Sequence, residues 1–299
     1  MTGVQLGARV ILKNILYLTD FSEASEAALP FAASIAREYG AKIHAYHVLI
    51  PAVYTYTTPE LTAAAFEAQE DAATANMQRV AAYMGSLQHE CVVERGTGIW
   101  PALEEAIKDY AIDMIVLGTH GRTGAQRLLM GSVAEEVFRR SHVPVLTIGP
   151  GERRGAHRGA RFHHVLFATD FTPESLAAAP FALSMAQENE ARLTLLHVMK
   201  EPAKIPHDKA MEDAISSALL QLHEIVPQLA ESWCKPEAVV EFGSPAEQIL
   251  KTAKERGADL IVLGVRGATG VPGAATHLER VTAHKVVVQA ECPVLTVRG

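Results

Sequence analysis

Short apolar segments alternate with longer helical patterns along the chain. In residues 1–150 the apolar segments are rich in Val, Ile and Leu and mostly unbroken by polar residues: Ile15–Leu18, Ile43–Val48, Cys91–Val93, Met114–Leu117 and Val145–Ile148. Runs of this kind are typical of parallel strands that are buried on both faces. The spacing between them predicts helices over Ser25–Tyr39, Glu60–Met84, Pro101–Tyr110 and Ser132–Arg140. Alternating strands and helices predict βαβ units and a parallel, doubly wound sheet.

The chain repeats itself after about 150 residues. Residues 14–34 align with residues 164–184, and 11 of the 21 aligned positions are identical. Residues 113–118 (DMIVLG) match residues 259–264 (DLIVLG) in the same way. A period of this length indicates a duplicated domain, because the units of solenoid repeats are far shorter. We therefore predict domains over residues 1–150 and 163–299, joined by a linker over residues 151–162 that is rich in Gly and Arg.

Composition narrows the range of functions. The chain has 299 residues and a formal net charge of −7, so we expect no broad nucleic-acid-binding face, which would need clustered Lys and Arg. Its three cysteines, Cys91, Cys234 and Cys292, form no C-x-x-C pair, and a reducing compartment is the simplest interpretation. No apolar run predicts a signal peptide or a membrane span. A cytoplasmic protein without membrane association is expected.

Two loops are suited to bind a ligand at the carboxyl ends of the strands, where open parallel sheets place their ligands. One loop contains Asp20 after the first strand, and the other runs from Gly118 through Gly121 to Gly131 and Ser132. Glycines allow positive φ and a close approach of the backbone to a ligand. A helix that begins at Ser132 would direct free N–H groups at phosphate. The hydroxyl of Ser132 would either add a donor or cap the helix.

The spacing Gly118-x2-Gly121-x9-Gly131-Ser132 resembles the nucleotide motif of the ATP-binding universal stress proteins. The resemblance extends over nearly the whole chain, twice, and includes the segments LYLTDFSEAS, GTHGRTG, GSVAEEV and PVLTI. It implies two tandem Rossmann-like α/β domains, each with a five-stranded parallel sheet of strand order 3-2-1-4-5. It also implies that the two domains pair through their last strands as an intramolecular pseudo-dimer.

The resemblance further implies ATP as the ligand, commonly accompanied by a divalent cation such as Mg²⁺. The matching positions form an ATP-binding set of Leu18, Asp20, Val48, Gly118, Thr119, His120, Gly121, Arg122, Gly131, Ser132 and Val133. Two of them have structural alternatives. Asp20 could instead cap the following turn, and His120 could hydrogen-bond within its own loop.

The second half departs from this motif. It keeps Asp170, Val198, Gly264 and Gly267, which predict a weaker second site. The Gly-Ser pair is replaced by His277-Leu278 or, if the final strands are aligned, by Arg280-Val281. We therefore expect nucleotide to bind mainly in the first half, with the second half serving chiefly as a built-in partner.

Three functions remain open from the sequence. The first is a regulatory or protective stress-response module that binds ATP, ADP or another adenine nucleotide. The second is a slow ATPase, although no P-loop, H-E-x-x-H or G-x-S-x-G motif occurs. The third is a metal-binding stress protein, because the chain has 13 histidines, although none has the spacing of a known zinc site. A homodimer of two chains also remains open.

Overall fold

A computed structural model describes residues 10–50, 59–119, 130–149, 160–201, 209–266 and 282–299. Most of the predicted linker, residues 151–159, lies outside these ranges. The first half contains, in chain order, β1 (Asn14–Leu18), α1 (Glu23–Tyr39), β2 (Lys42–Leu49), α2 (Pro59–Met84), β3 (His89–Arg95), α3 (Ile99–Asp109), β4 (Met114–Gly118), α4 (Ser132–Arg140) and β5 (Val145–Ile148). The predicted order of strands and helices in this half is therefore confirmed.

The second half repeats this order with two additions. It contains β6 (His164–Ala168), α5 (Pro173–Leu176), α6 (Ala179–Asn189), β7 (Arg192–Met199), α7 (Lys209–Ile225), α8 (Glu231–Cys234), β8 (Glu237–Phe242), α9 (Pro245–Arg256), β9 (Leu260–Val265), α10 (Thr282–Gln289) and β10 (Val294–Arg298). The counterpart of α1 is divided into α5 and α6, and α8 is an extra short helix before β8. Among the described residues, no helix combines the length and apolar character that a membrane crossing requires.

All ten strands of the described residues join one sheet, in the order β3-β2-β1-β4-β5-β10-β9-β6-β7-β8. Within each half the strands are parallel and follow the predicted order 3-2-1-4-5. Strand order reverses beside β1 and beside β6, because the chain first adds strands on one side and then crosses to the other. Such switch points are the places where an open parallel sheet binds ligands.

The two halves meet where β5 pairs with β10 in the antiparallel direction. Leu146 lies opposite Leu295 at the middle of this pair, and both side chains are buried. The hydroxyl of Thr147 donates to the carbonyl of Val294 at 3.1 Å, and the hydroxyl of Thr296 donates to that of Val145 at 3.3 Å. The junction is therefore nearly two-fold symmetric, as expected of an intramolecular pseudo-dimer.

Each face of the sheet carries an apolar core that runs across the junction. One core contains Tyr17 and Phe31 of the first half together with Phe162 of the second, and the rings of Phe31 and Phe162 stack with centroids 5.9 Å apart. The other core contains Phe138 on α4 and Val286 on α10. Because both cores include residues of both halves, the halves are held together by burial as well as by strand pairing.

A repeated aspartate explains part of the internal sequence match. Asp113 precedes β4, and its carboxylate accepts hydrogen bonds from the N–H groups of Lys13 at 2.7 Å and Asn14 at 2.9 Å. Asp259 accepts in the same way from the N–H groups of His163 and His164. In each half this aspartate satisfies the backbone at the start of the first strand, so its repetition follows from strand packing.

Candidate functional site

A cavity of about 210 Å³ lies at the carboxyl ends of β1, β2 and β4, beside the switch point of the first half. Eight of the eleven residues predicted for the nucleotide site line it: Leu18, Asp20, Val48, Gly118, Thr119, Gly131, Ser132 and Val133. The other three, His120, Gly121 and Arg122, lie outside the described residues. Six further lining residues were not part of the predicted set: Thr19, Ser25, His47, Ile99, Leu117 and Ala134.

Asp20 forms one wall of the cavity and also shapes the turn after β1. Its Oδ1 atom accepts hydrogen bonds from the backbone N–H of Ser22 at 3.0 Å and from the Ser22 hydroxyl. Ser22 in turn caps α1, because its hydroxyl accepts from the N–H of Ser25 at 3.3 Å. The carboxylate of Asp20 therefore holds the turn, although the N-cap of α1 is Ser22, and Asp20 also borders the cavity.

The turn after β1 contains a strained residue that the sequence did not reveal. Phe21 has φ of +60°, a conformation that non-glycine residues rarely adopt. Its ring packs against His47 with centroids 4.4 Å apart, and Nδ1 of His47 donates to the carbonyl of Thr19 at 2.7 Å. Phe171 (φ +63°) and His197 repeat this arrangement in the second half. The Phe–His contact therefore supports the turn after the first strand of each half, and in the first half His47 also lines the cavity.

A buried tyrosine on β1 forms a hydrogen bond with the first turn of α1. The Tyr17 side chain is fully buried, and its hydroxyl donates to the carbonyl of Ser25 at 2.8 Å. Burial raises the pKa of Tyr17 well above its usual value, so the hydroxyl remains a donor at all ordinary pH values. The position of Ser25 at the cavity wall is thus set by a contact in the core.

Gly118 is needed for packing against α1, which differs from the reason that the sequence suggested. Its φ is not positive. A Cβ atom at this position would lie 2.4 Å from the carbonyl oxygen of Ala24, far inside van der Waals contact. Gly264 is constrained in the same way, with 2.2 Å to the carbonyl oxygen of Glu174. Because both halves need this glycine, it does not by itself distinguish a binding site from an empty one.

The start of α4 also lines the cavity. Gly131 is the N-cap residue with extended backbone (φ −63°, ψ 149°), and its N–H donates to the carbonyl of Thr119 at 2.7 Å. Thr119 is itself tied to β5, because its N–H donates to the carbonyl of Ile148 at 2.9 Å. The end of β4 and the start of α4 are therefore held together by backbone hydrogen bonds.

Ser132 is the first helical residue and does not cap α4, so the capping alternative for its hydroxyl is wrong. The N-cap position is taken by Gly131, which has no side chain to cap with, and Ser132 is exposed. The first hydrogen bond of the helix runs from the N–H of Glu135 to the carbonyl of Gly131. The N–H groups of Ser132, Val133 and Ala134 precede it, so they have no acceptor within the helix. Together with the helix dipole they can receive an anion.

The second half has a smaller cavity at the equivalent place. It measures about 160 Å³ and is lined by three of the four residues predicted for the weaker site, Asp170, Val198 and Gly264. Gly267 and the pairs that replace Gly-Ser, His277-Leu278 and Arg280-Val281, lie outside the described residues.

Charged side chains line the second cavity. Its lining includes Glu174 and Arg266, together with the first residue of α10, Thr282. Burial tends to raise the pKa of Asp170, but hydrogen bonds from Thr172 and the charge of Arg266 outweigh it, so the pKa is lowered. The Asp170 carboxylate is therefore ionised. Glu174 is a second acidic side chain in the lining of this cavity.

The described histidines do not gather into a metal site. No group of three or more His, Cys, Asp or Glu side chains within the described residues is arranged to hold a metal ion. His44 is buried and its Nε2 lies 3.3 Å from Asn14 Oδ1, and His197 hydrogen-bonds the carbonyl of Thr169. These strand histidines stabilise the fold.

Comparison with known proteins gives the family. The sequence model of the universal stress protein family matches residues 12–149 and again residues 161–298. A universal stress protein of Mycolicibacterium smegmatis is 28% identical over 294 residues, covering 95% of this chain and 97% of that protein. A universal stress protein of Methanocaldococcus jannaschii is 33% identical over 145 residues, covering 46% of this chain and 82% of that protein.

A solved structure supports the same conclusion for the fold. The universal stress protein from Archaeoglobus fulgidus superposes with a TM-score of 0.70 at 22% identity, covering 96% of each chain. At this identity the likeness speaks for the architecture alone. The family model accounts for both halves, with the same domain matched twice. The chain therefore belongs to the universal stress protein family, as a tandem member with two copies of the domain.

Proposed function

We propose that the first half binds ATP or another adenine nucleotide, and that this binding makes the protein a regulatory module of the stress response. The observation that carries the proposal is the presence of two features in the lining of one cavity. Asp20 and the N-terminus of α4 both line it. A nucleotide needs an acceptor for its ribose hydroxyls and donors for its phosphates, and the lining of this cavity includes both.

The lining residues suggest how the ligand is oriented. Leu18, Val48 and Ile99 form an apolar wall suited to a planar base. The carboxylate of Asp20 can accept hydrogen bonds from ribose hydroxyls. The N–H groups that open α4, at Ser132 and Val133, can donate to phosphate oxygens. The base would thus lie toward β2 and the phosphates toward α4.

We also propose that Mg²⁺ enters with the phosphates and has no preformed cage in the protein. Mg²⁺ commonly binds through one or two carboxylates, several waters and the phosphates of the substrate. Asp20 is the carboxylate among the described residues of this cavity. It can serve as one such ligand, directly or through water, while the ion neutralises phosphate charge. Removing Mg²⁺ with a chelator should therefore weaken binding of ATP more than binding of adenosine.

The second half is proposed to bind nucleotide weakly or not at all. Its cavity keeps the Asp170 and Val198 walls but adds the carboxylate of Glu174. Two acidic side chains disfavour a polyphosphate more than one does, and the charge of Arg266 already acts on Asp170. The second half would then contribute mainly the partner surface for the first.

A pair of matched variants tests this assignment. Ser132→Glu places a carboxylate at the first residue of α4, where it would also suit the helix dipole, so folding should be preserved. Two like charges about 5 Å apart repel by roughly 1–3 kcal/mol, which predicts ATP binding weaker by about fivefold or more. Thr282→Glu makes the same change at the first residue of α10 and should leave the measured affinity unchanged.

Isothermal titration of the full chain with ATP and with adenosine measures these affinities. The proposal predicts that Ser132→Glu weakens binding of ATP and spares adenosine. Equal ATP affinity of wild type and Ser132→Glu would show that the phosphates do not lie at α4. A phosphate-release assay under the same conditions separates a binding module from an ATPase. We expect turnover well below about 1 s⁻¹, the low end for typical enzymes.

A further inference from the structure

One arginine of the second half contacts the helix that opens the candidate site of the first half. Arg298 is the last residue of β10, and its Nη2 atom donates to the carbonyls of Phe138 and Arg139, both at 2.9 Å. These two carbonyls belong to the last turn of α4. The contact therefore crosses the junction between the halves and ends on the helix whose first residues line the cavity.

The contact provides hydrogen-bond donors for carbonyl groups at the C-terminus of α4. The last four carbonyls of an α-helix have no partner within the helix, and a cation at that end also complements the helix dipole. Arg298 is half-buried and its backbone is fixed by the sheet, since it is paired with Val265 of β9. Its position relative to α4 is therefore set by the strand register, and the guanidinium acts as a fixed point for the C-terminus of α4.

The other end of α4 is tied to the first half by the hydrogen bond from the Gly131 N–H to the Thr119 carbonyl. The helix has nine residues, which makes it about 13 Å long. A packed helix of this length moves as a rigid body, because small shifts in a close-packed core are transmitted along it. Displacement at its last turn would therefore move the N–H groups at its first turn.

Position 149 cannot make the equivalent contact in the other direction. When the final strands are aligned (PVLTI with PVLTV), the position equivalent to Arg298 is Gly149. Gly149 lies beside the carbonyl of Ala290, which follows α10, and a Cβ atom there would be 3.3 Å from that oxygen. The symmetric position is thus occupied by a residue without a side chain. The helix that receives Arg298 is α4, which begins with the Gly131-Ser132 pair, and Gly149 can give α10 no such contact.

We propose that Arg298 is a positioning residue through which the second half sets the affinity of the first half for phosphate. The inference rests on the proposed nucleotide site. By thermodynamic reciprocity, a ligand held by α4 must in turn strengthen the contact between α4 and Arg298. The second half would then be a regulatory partner of the nucleotide site, in addition to covering the sheet edge.

The test compares Arg298→Met, which keeps length and apolar bulk, with Arg298→Lys, which keeps a cationic donor. Arg256→Met serves as the control, because Arg256 pairs with Glu237 within the second half and is remote from α4. Titration with ATP and with adenosine reports the phosphate-dependent part of binding. Arg298→Met should weaken ATP binding about fivefold or more and leave adenosine unchanged. Arg298→Lys should recover most of the loss, and Arg256→Met should bind as wild type.

Hydrogen exchange without nucleotide tests the contact itself. Amides of residues 132–140 should exchange faster in Arg298→Met than in wild type, and unchanged exchange would overturn the inference. Wild-type ATP affinity in Arg298→Met, or an equal loss for ATP and adenosine, would also overturn it. If wild type binds no ATP while exchange in α4 still responds to Arg298, the proposed nucleotide function fails and the contact between the halves stands.

Discussion

An alanine at position 118 would place a methyl group 2.4 Å from the carbonyl oxygen of Ala24. Ordinary contact begins at about 3.4 Å, so something must move by about 1 Å. The obstructing atom belongs to the backbone of α1, close to its capped first turn, and cannot rotate away as a side chain would. Overpacking of this kind costs about 1–3 kcal/mol, and the rigid neighbour predicts the upper end of that range.

The assay is urea unfolding of the full chain, followed by circular dichroism, with two matched variants. Gly264→Ala should be destabilised at least as much as Gly118→Ala, because the added Cβ would lie 2.2 Å from the Glu174 carbonyl oxygen. Gly98→Ala is the control. Its backbone is extended and its nearest contact would be an ordinary 3.4 Å, so its cost should stay below about 1 kcal/mol.

The result distinguishes packing from ligand contact as the reason for this glycine. If Gly118→Ala unfolds within about 0.5 kcal/mol of wild type, the packing argument is wrong. That result, combined with a loss of ATP binding, would return Gly118 to the role that the family resemblance implies. Destabilisation of both Gly118→Ala and Gly264→Ala would instead show that this part of the motif is shared structure.

Three further predictions concern stability, each checked by urea unfolding. Tyr17→Phe removes the donor to the Ser25 carbonyl and should lower the free energy of unfolding by about 1 kcal/mol; no change would mean that this hydrogen bond adds nothing. Leu295→Ala removes a fully buried side chain from the β5–β10 pair and should lower the free energy of unfolding by about 2–5 kcal/mol. The control Leu220→Ala should lower it little, because Leu220 is 61% exposed. Equal losses would contradict the assignment of Leu295 to the core. Burial lowers the pKa of His164, so the unfolded chain binds more protons, and the free energy of unfolding should fall as the pH drops below about 6.5. His164→Asn should reduce that pH dependence, and an unchanged slope would show that His164 does not cause it.

Most of the architecture could be predicted from the sequence because the apolar runs correspond to strands that are buried in the structure. The runs Ile15–Leu18 and Val145–Ile148 are predominantly apolar, with Thr147 the polar exception, and both are buried strands. The bounds were less predictable where backbone pairing decides them. β3 extends over His89–Arg95, well beyond its apolar centre, because its polar ends still pair with β2. Side-chain patterns contain no record of such backbone hydrogen bonds.

The sequence could predict which residues lie near the candidate site, but it could not predict the physical reason that each is required there. The motif contains Gly118 and Ser132, and both line the cavity. It could not show that Gly118 is required by the approach of α1, since that distance depends on tertiary packing. The positive φ of Phe21 likewise has no local sequence signal. The contact of Arg298 with α4 depends on which strands meet at the junction. The sequence alone shows only that Arg298 and Gly149 differ at equivalent positions of the two halves.

The most direct test of the central claim is the number of adenine nucleotides bound per chain. Purified protein would first be stripped of any nucleotide, and ATP with Mg²⁺ would then be titrated into wild type, Ser132→Glu and Thr282→Glu. We expect one tight site per chain, weakened in Ser132→Glu and retained in Thr282→Glu. Two equivalent sites per chain, or a single site that is lost in Thr282→Glu and kept in Ser132→Glu, would contradict it.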